Sequence, residues 1–267
     1  MGDDSEARKA QTRAVFDRLA EDYDVTGPGC FAHFGRRLVE TVGIEPGMHV
    51  LDVASGRGAV MFPAAERVGP KGAVTGIDLS NGMARATNED AKRRGISARV
   101  GVMDAEQLDF PESTFDRVLC GFGLMFFPHL SQALGEFRRV LKPAGRIGVS
   151  TWRVSQADDL RLVLDELGLG GPGELAWITD PDDLADLLAR AGFSDVRVIA
   201  DSEVFRYSDL GQYWRNARGT GLRRRLDTLD AEQTERVRAA LAERVGLHTR
   251  TDGLYLEATA LLAIAIR

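Results

Sequence analysis

Residues 49–54, HVLDVA, read as a β-strand and run without a break into Ser55-Gly56-Arg57-Gly58 and a helix-like segment over 57–68. Few folds accommodate such a junction. The strand must be buried, the helix must pack back across a sheet, and the small residues between them let backbone amides approach a ligand closely. By itself the junction leaves two readings open, since glycine-rich turns of this kind serve many nucleotides and also occur as plain tight turns.

The same pattern repeats downstream. AVTGID (73–78), ARVGVMD (98–104), FDRVLCGFG (115–123) and GRIGVSTW (145–152) are strand-like, with amphipathic stretches over 80–95 and 130–145 between them. Strands alternating with helices of this length predict βαβ units and a parallel sheet. Ser80 is placed to cap the helix over 80–95 and Gly95 to close it, while Lys142-Pro143 and Gly145 stop the helix over 130–145. Upstream, residues 5–24 predict an amphipathic helix with Val15, Phe16 and Leu19 on one side; TGPG at 26–29 breaks it and a second helix covers about 31–43. The second half is less regular. Pro181 and two aspartates open a helix over about 181–191, VRVIA (196–200) reads as a strand, and 207–246 reads as helical with a break at RGTGLRRR (218–225). The segment over 254–266 is apolar and reads as a last strand, although its alanines leave a helix open.

Three aspartates mark strand ends at equal intervals: Asp52, Asp78 and Asp104, each 26 residues after the one before. A carboxylate after the second strand is placed to take both hydroxyls of an adenosine ribose, and one after the third to meet the exocyclic amine of adenine. The plainer reading is that each caps the helix that follows it.

Composition narrows the class of protein. Of 267 residues 44% are hydrophobic and 28% charged, enough apolar material for one large α/β domain and too much for a disordered chain. The net charge of −6 opposes a duplex nucleic-acid partner and an anionic membrane surface, both of which call for a broad basic face. No run of about 18 apolar residues is present, so no membrane insertion is expected. Only Cys30 and Cys120 occur, which fits a reducing compartment. There is no CxxC, and the four histidines, His33, His49, His129 and His248, are scattered, so no metal site is expected. The first thirty residues carry no apolar core, and a cytoplasmic protein without a signal peptide is the expectation.

The segments LDVASGRGAV, TGIDLSNGM, VMDAEQLDFPESTFDRV and EFRRVLKPAGRIGVSTW together resemble the successive motifs of Rossmann-like, S-adenosylmethionine-dependent methyltransferases. Within that superfamily they are similar to the small-molecule branch related to ubiquinone/menaquinone-biosynthesis enzymes, and the stretch from Phe16 to Asp24 resembles that branch's lid helix. The resemblance covers residues 10–155 well and the remainder only in layout. It implies a three-layer α/β fold with a mostly parallel seven-stranded sheet, an N-terminal helical lid over 1–45, a core over 46–200, a helical cap over 201–250 and the last strand over 251–267. It also implies S-adenosylmethionine as cofactor. Ala54, Gly56 and Gly58 would line the methionine end with Asp52 organising the turn, and Asp78 would hold the ribose. Leu79 and Met83 would pack on adenine, Asp104 and Ala105 would read its edge, Phe122 would approach the amino group, and Tyr23 would close over the cofactor. One departure is visible: Ala54 stands where the family usually has its first glycine. The turn is not GxGxxG, so a flavin or nicotinamide cofactor is the weaker alternative.

For catalysis the task is mainly in-line positioning and exclusion of water, with a base where the acceptor must lose a proton. His129, just past the fourth strand, is a base candidate or alternatively a helix cap; His33 and Tyr23 in the lid are further candidates. Phe122, Met125, Phe126, Phe127 and Trp152 form either ordinary core or an apolar wall for an acceptor. The run Arg223-Arg224-Arg225 is a solvated face by default and a grip for an acidic or phosphorylated acceptor otherwise. The expected function is methyl transfer to oxygen or carbon of a small hydrophobic acceptor in quinone-like or specialised metabolism. The alternatives are N-methylation, a phosphorylated or prenyl acceptor, and a cofactor-binding protein that catalyses a cyclisation. A homodimer is compatible with the sequence.

Overall fold

A computed structural model describes residues 2–170 and 178–267, apart from a few side chains. Two helices, α1 (Gly2–Leu19) and α2 (Cys30–Val42), precede the first strand, β1 (His49–Val53). Then come α3 (Met61–Val68), β2 (Ala73–Asp78), α4 (Asn81–Arg94), β3 (Ala98–Val102), β4 (Phe115–Gly121), α5 (Leu130–Val140) and β5 (Leu141–Val154). The remainder holds α6 (Asp158–Glu166), α7 (Pro181–Arg190), β6 (Ser194–Tyr207), α8 (Leu210–Arg218), α9 (Arg223–Leu226), α10 (Ala231–Arg244), β7 (Thr249–Arg250) and β8 (Gly253–Ile266).

The strands form one sheet in the order β3-β2-β1-β4-β5-β8-β6, with the two-residue β7 pairing β8 off that path. Pairs from β3 through β5 are parallel, and β8 runs antiparallel to both its neighbours. After β1 the chain winds outward through β2 to β3, and then crosses back to β4. The strand order therefore reverses between β1 and β4, and the carboxyl ends of those two strands flank the crevice where ligands bind in open α/β sheets.

Apolar side chains alternate between the two faces of the sheet. Val50, Val74, Val100 and Leu119 pack beneath α2 and α3, whereas Leu51, Ile77, Val118 and Ile147 pack beneath α5 and α7. Burial on both faces is why the central strands read as nearly continuous apolar runs. A third cluster joins α6, α8 and α10 to the far ends of β6 and β8, and a fourth, Leu19, Ala20 and Met83, fastens α1 to α4. The caps follow the sequence: the Ser80 hydroxyl accepts from Met83 N at 3.0 Å, Gly95 closes α4 in the left-handed region, and Asp180 caps α7 ahead of Pro181.

Three elements differ from the sequence expectation. The helix expected over 130–145 ends at Val140, and β5 begins at once, with Leu141 opposite Phe115. Pro143 has no N–H to extend the helix and disfavours helical geometry at Lys142, so the chain extends instead. The strand expected over 196–200 runs from Ser194 to Tyr207, through the boundary expected at 200 between core and cap. Most of it is exposed, so the continuous apolar signal marks only its first half. The alanine-rich segment after Gly253 is a strand and not a helix, because it is clamped between β5 and β6 and small side chains suit that double burial. No helix among the described residues is long and apolar enough to cross a membrane, and none of their histidine, cysteine and acidic side chains gather into a metal-binding group.

Candidate functional site

The turn after β1 is built from three successive left-handed residues at alternate positions: Ala54 at φ 55°, Gly56 at 50° and Gly58 at 79°. The last of these requires glycine twice over, since a Cβ there would also stand 2.6 Å from the Phe62 ring. Ala54 takes the strained conformation despite its methyl group. The turn is tied across the sheet by Ser55 N donating to Ile77 O at 3.0 Å and by the Thr87 hydroxyl donating to Gly56 O at 2.5 Å.

Behind the turn Asp52 is 1% exposed; its Oδ2 accepts from the Ser55 hydroxyl at 2.8 Å and its Oδ1 has no partner. Burial pushes its carboxyl up to about 7. Asp78 accepts Gly56 N at 2.8 Å and Ser80 N at 2.9 Å, and burial again raises its carboxyl above the usual range, against the pull of those amides. Neither carboxylate has a cationic partner among the described residues. A buried and a half-buried acid without a counter-charge among the described residues make the end of the crevice electronegative, which suits a ligand carrying a sulfonium and an ammonium group.

A cleft of about 110 Å³ opens over the turn. Of the residues the sequence assigns to the cofactor, Tyr23, Ala54, Gly56, Asp78, Leu79, Met83, Asp104, Ala105 and Phe122 line it, whereas Asp52 and Gly58 lie behind the turn. Phe122 holds φ 54°, with its N–H donating to Ser150 O at 3.0 Å. The left-handed cradle, with Asp78 and Asp104 of the strand ends lining the cleft beside it, fits S-adenosylmethionine.

The cleft is narrow because α1 lies across it, contributing Lys9, Thr12, Arg13 and Phe16 to its wall. Lys9 Nζ donates to Asp104 Oδ2 at 2.7 Å and stands 2.6 Å from Glu106 Oε2, a buried carboxylate. At the other end of α1, Asp17 Oδ1 accepts from the Ser80 hydroxyl at 2.6 Å and from Gly82 N at 2.8 Å. Burial pulls the Lys9 ammonium down, but its two carboxylate partners outweigh that and hold it above its usual range. Glu106 is likewise pushed up by burial, yet the bonds from Lys9 and His129 leave it below the ordinary carboxylate value. Lys9 and Glu106 went unmarked in the sequence because nothing in a single chain signals a contact across 97 positions.

A second cavity of about 780 Å³ adjoins the first and shares with it Thr12, Phe16, Tyr23, Asp24, Phe31, Phe122 and Phe126. Its wall is a chain of rings. Phe122 stacks on Trp152 with centroids 4.1 Å apart, Phe31 meets both edge-on, Tyr23 stacks on Phe31 at 5.5 Å, and Phe16 bridges Tyr23 to Phe126. Met125 also lines it, whereas Phe127 packs against Phe137 of the core. At the far side, Tyr207 donates to Gln156 Oε1 at 2.7 Å, Tyr213 to Gln156 O at 2.8 Å, and Asn216 Nδ2 to the Tyr207 oxygen at 3.2 Å. Arg225 reaches this cavity with a buried, unbonded Nε, while Arg223 turns to Asp227 and Asp22; the side chain of Arg224 lies outside the described residues.

The three base candidates separate. His129 occupies the N-cap position of α5, but its ring caps nothing; Nδ1 sits 3.0 Å from Glu106 Oε2, its backbone N–H donates to Glu106 Oε1, and it lines neither cavity. His33 packs edge-on to Phe34 and Phe205 with its Nε2 unbonded, again outside both cavities. Tyr23 is in the shared wall, where burial drives its phenol well above the usual range and keeps it protonated.

Residues 50–145 match the family model described as a methyltransferase domain. The chain is 47% identical over 139 residues to nocamycin O-methyltransferase of Saccharothrix syringae, covering 51% of this chain and 49% of that one. It is 40% identical over 149 residues to aklanonic acid methyltransferase DauC of Streptomyces sp. (strain C5), covering 55% and 67%. To the ubiquinone/menaquinone biosynthesis C-methyltransferase UbiE of Bordetella avium it is 38% identical over 137 residues, covering 50% and 54%. The matches thus span about half the length of the first and third of these relatives and two thirds of the second. Among solved structures, a SAM dependent methyltransferase from Aquifex aeolicus superposes with a TM-score of 0.56 at 22% identity, covering 69% of this chain and 91% of that one.

Proposed function

The chain belongs to the S-adenosylmethionine-dependent methyltransferases, and within that family we propose that it methylates oxygen or carbon of a small, largely apolar acceptor in quinone-like or specialised metabolism. The observation that carries this reading is the shared wall: a cavity of about 780 Å³, lined by aromatic rings, opens onto the cofactor cleft through residues common to both. That volume lies in the range of sites for drug-sized ligands, about 300–1,000 Å³.

When bound, S-adenosylmethionine supplies a methyl group made electrophilic by its sulfonium. The chain's own residues do the rest. Asp78 would take the ribose hydroxyls, Asp104 and Ala105 would meet the adenine edge, and the carboxyls of buried Asp52 and half-buried Asp78 would favour the cationic end. Phe31, Phe122 and Trp152 offer a flat apolar face to the acceptor and exclude water from the transfer. Gln156, Tyr207 and Asn216 supply polar partners at the far side, and Arg225 suits an acidic substituent there. Two free, buried cysteines agree with a reducing cytoplasmic setting.

The test is transfer of a radiolabelled methyl from S-adenosylmethionine into a panel of hydroxylated naphthoquinones and anthraquinones. Turnover of at least one supports the reading. Turnover of none, with the cofactor bound, refutes the acceptor class.

A further inference from the structure

Among the described residues the wall between the two cavities contains one carboxylate, Asp24, and the histidines expected to serve as bases stand outside both. We infer that Asp24 is the general base that takes the proton from the acceptor's hydroxyl as the methyl group is transferred; this rests on the methyl-transfer reading above.

Geometry carries the assignment. A base for this reaction must stand where acceptor and methyl donor meet, and the residues common to both cavities define that place. Seven residues qualify; four are phenylalanines, Thr12 carries only a hydroxyl, and the Tyr23 phenol is held in its protonated form. Asp24 is left. Its carboxylate makes no hydrogen bond or ion pair with any described residue, so its lone pairs are free for a ligand. Its backbone sits at φ 56°, a left-handed conformation in the bend between α1 and α2. Strain of that kind persists where the surroundings hold it, and such positions gather at functional sites.

The surroundings also suit a base that works near neutral pH. Burial pushes the Asp24 carboxyl up to about 7. The ionisable groups that face it are Tyr23 on its own segment, Cys30 at the start of α2 and Tyr207 at the end of β6, all neutral at that pH. Arg8, Arg161, Asp165 and Arg225 line the larger cavity from α1, α6 and α9, and Lys9, Arg13, Arg57, Asp78, Asp104 and Glu106 line the smaller cleft. In the step, the acceptor's O–H bond breaks and its proton passes to an Asp24 oxygen. The electron pair left on the acceptor oxygen forms the new bond to the methyl carbon. The old carbon–sulfur bond breaks with its pair staying on sulfur, and Asp24 afterwards gives its proton to water.

Asp24→Asn is the variant of choice, because asparagine tolerates a left-handed backbone. Carboxyl 13C spectra of protein labelled at aspartate should contain one resonance that titrates near pH 7 and vanishes in Asp24→Asn. If the missing resonance instead titrates below pH 5, Asp24 is too weak a base and the assignment falls. With 1,8-dihydroxyanthraquinone as acceptor, wild-type kcat/KM should rise with pH to a plateau above 7. Asp24→Asn should lower it about 100-fold or more and flatten that rise, while calorimetric affinity for S-adenosylmethionine stays within threefold. A rate within threefold of wild type would overturn the inference. If neither protein turns over while S-adenosylmethionine binds, the acceptor reading fails, and a missing resonance that titrates below pH 5 still overturns the assignment of Asp24.

Discussion

Replacing Lys9 by glutamine should loosen the lid and leave the core folded. Lys9 Nζ lies 2.7 Å from Asp104 and 2.6 Å from Glu106, and the Glu106 side chain is 1% exposed against 32% for Asp104. The bond to Asp104 is half in solvent and worth about 1 kcal/mol or less. The bond to Glu106 is different, since removing one partner of a buried pair costs about 3–5 kcal/mol. Glu106 keeps the His129 backbone N–H at 2.6 Å, and a neutral glutamine amide replaces the ammonium as donor, so the net loss is about 3 kcal/mol. Little of this reaches the core, because α1 is fastened to it separately by Asp17 and by Leu19, Ala20 and Met83. The assay is hydrogen exchange read by mass spectrometry. Peptides from the first half of α1 should exchange about 100-fold faster, at about 1.4 kcal/mol per tenfold, while peptides from β1 and β4 keep their protection. The pH dependence has a defined sign. Glu106 is held below its unfolded value, so its contribution is present above about pH 4.3 and is lost as pH falls through the lowered value. Wild-type lid exchange should therefore accelerate in acid more than that of the variant. Unchanged exchange in α1 would refute the latch.

Three further outcomes are expected. Asp78→Asn should weaken S-adenosylmethionine by about 10- to 100-fold, the worth of one charge-assisted hydrogen bond, and calorimetry giving an affinity within twofold of wild type would contradict the ribose role. Gly35→Ala should lower the melting temperature by about 3–10 °C, because the new Cβ would lie 2.3 Å from the Ala59 carbonyl oxygen and neither backbone can yield cheaply. Asp24→Asn should stabilise the protein at pH 8. The wild-type carboxyl rises to about 7 in the fold from about 3.9 unfolded, so the folded state holds the proton longer and wild-type stability declines between those values. Discounted for partial exposure, the gain is about 2 kcal/mol at pH 8 and vanishes below pH 4, as read by urea denaturation.

Where side chains alternate regularly or a cap is local, the sequence was enough. β1, β2 and β4 lie where their apolar runs put them, and Ser80 and Gly95 bound α4 as local chemistry demands. β6 was mostly hidden, because an exposed edge strand has polar residues on both faces and only its pairing with β8 defines it. The site divides along the same line. Asp78 and Asp104 sit at strand ends and were visible as spacing. Lys9, Asp24 and Glu106 acquire meaning only when α1 folds over the cleft, a contact no local pattern encodes. Position after β4 makes His129 a candidate, and only the folded chain shows its ring 3.0 Å from Glu106, two residues past Asp104.

Every role assigned above depends on the crevice between β1 and β4 holding S-adenosylmethionine. Calorimetric titration of the purified protein with S-adenosylmethionine, S-adenosylhomocysteine and, as control, NADH tests this directly. Micromolar binding of the first two and none of NADH is expected. Binding of NADH alone, or of none of the three, would contradict it.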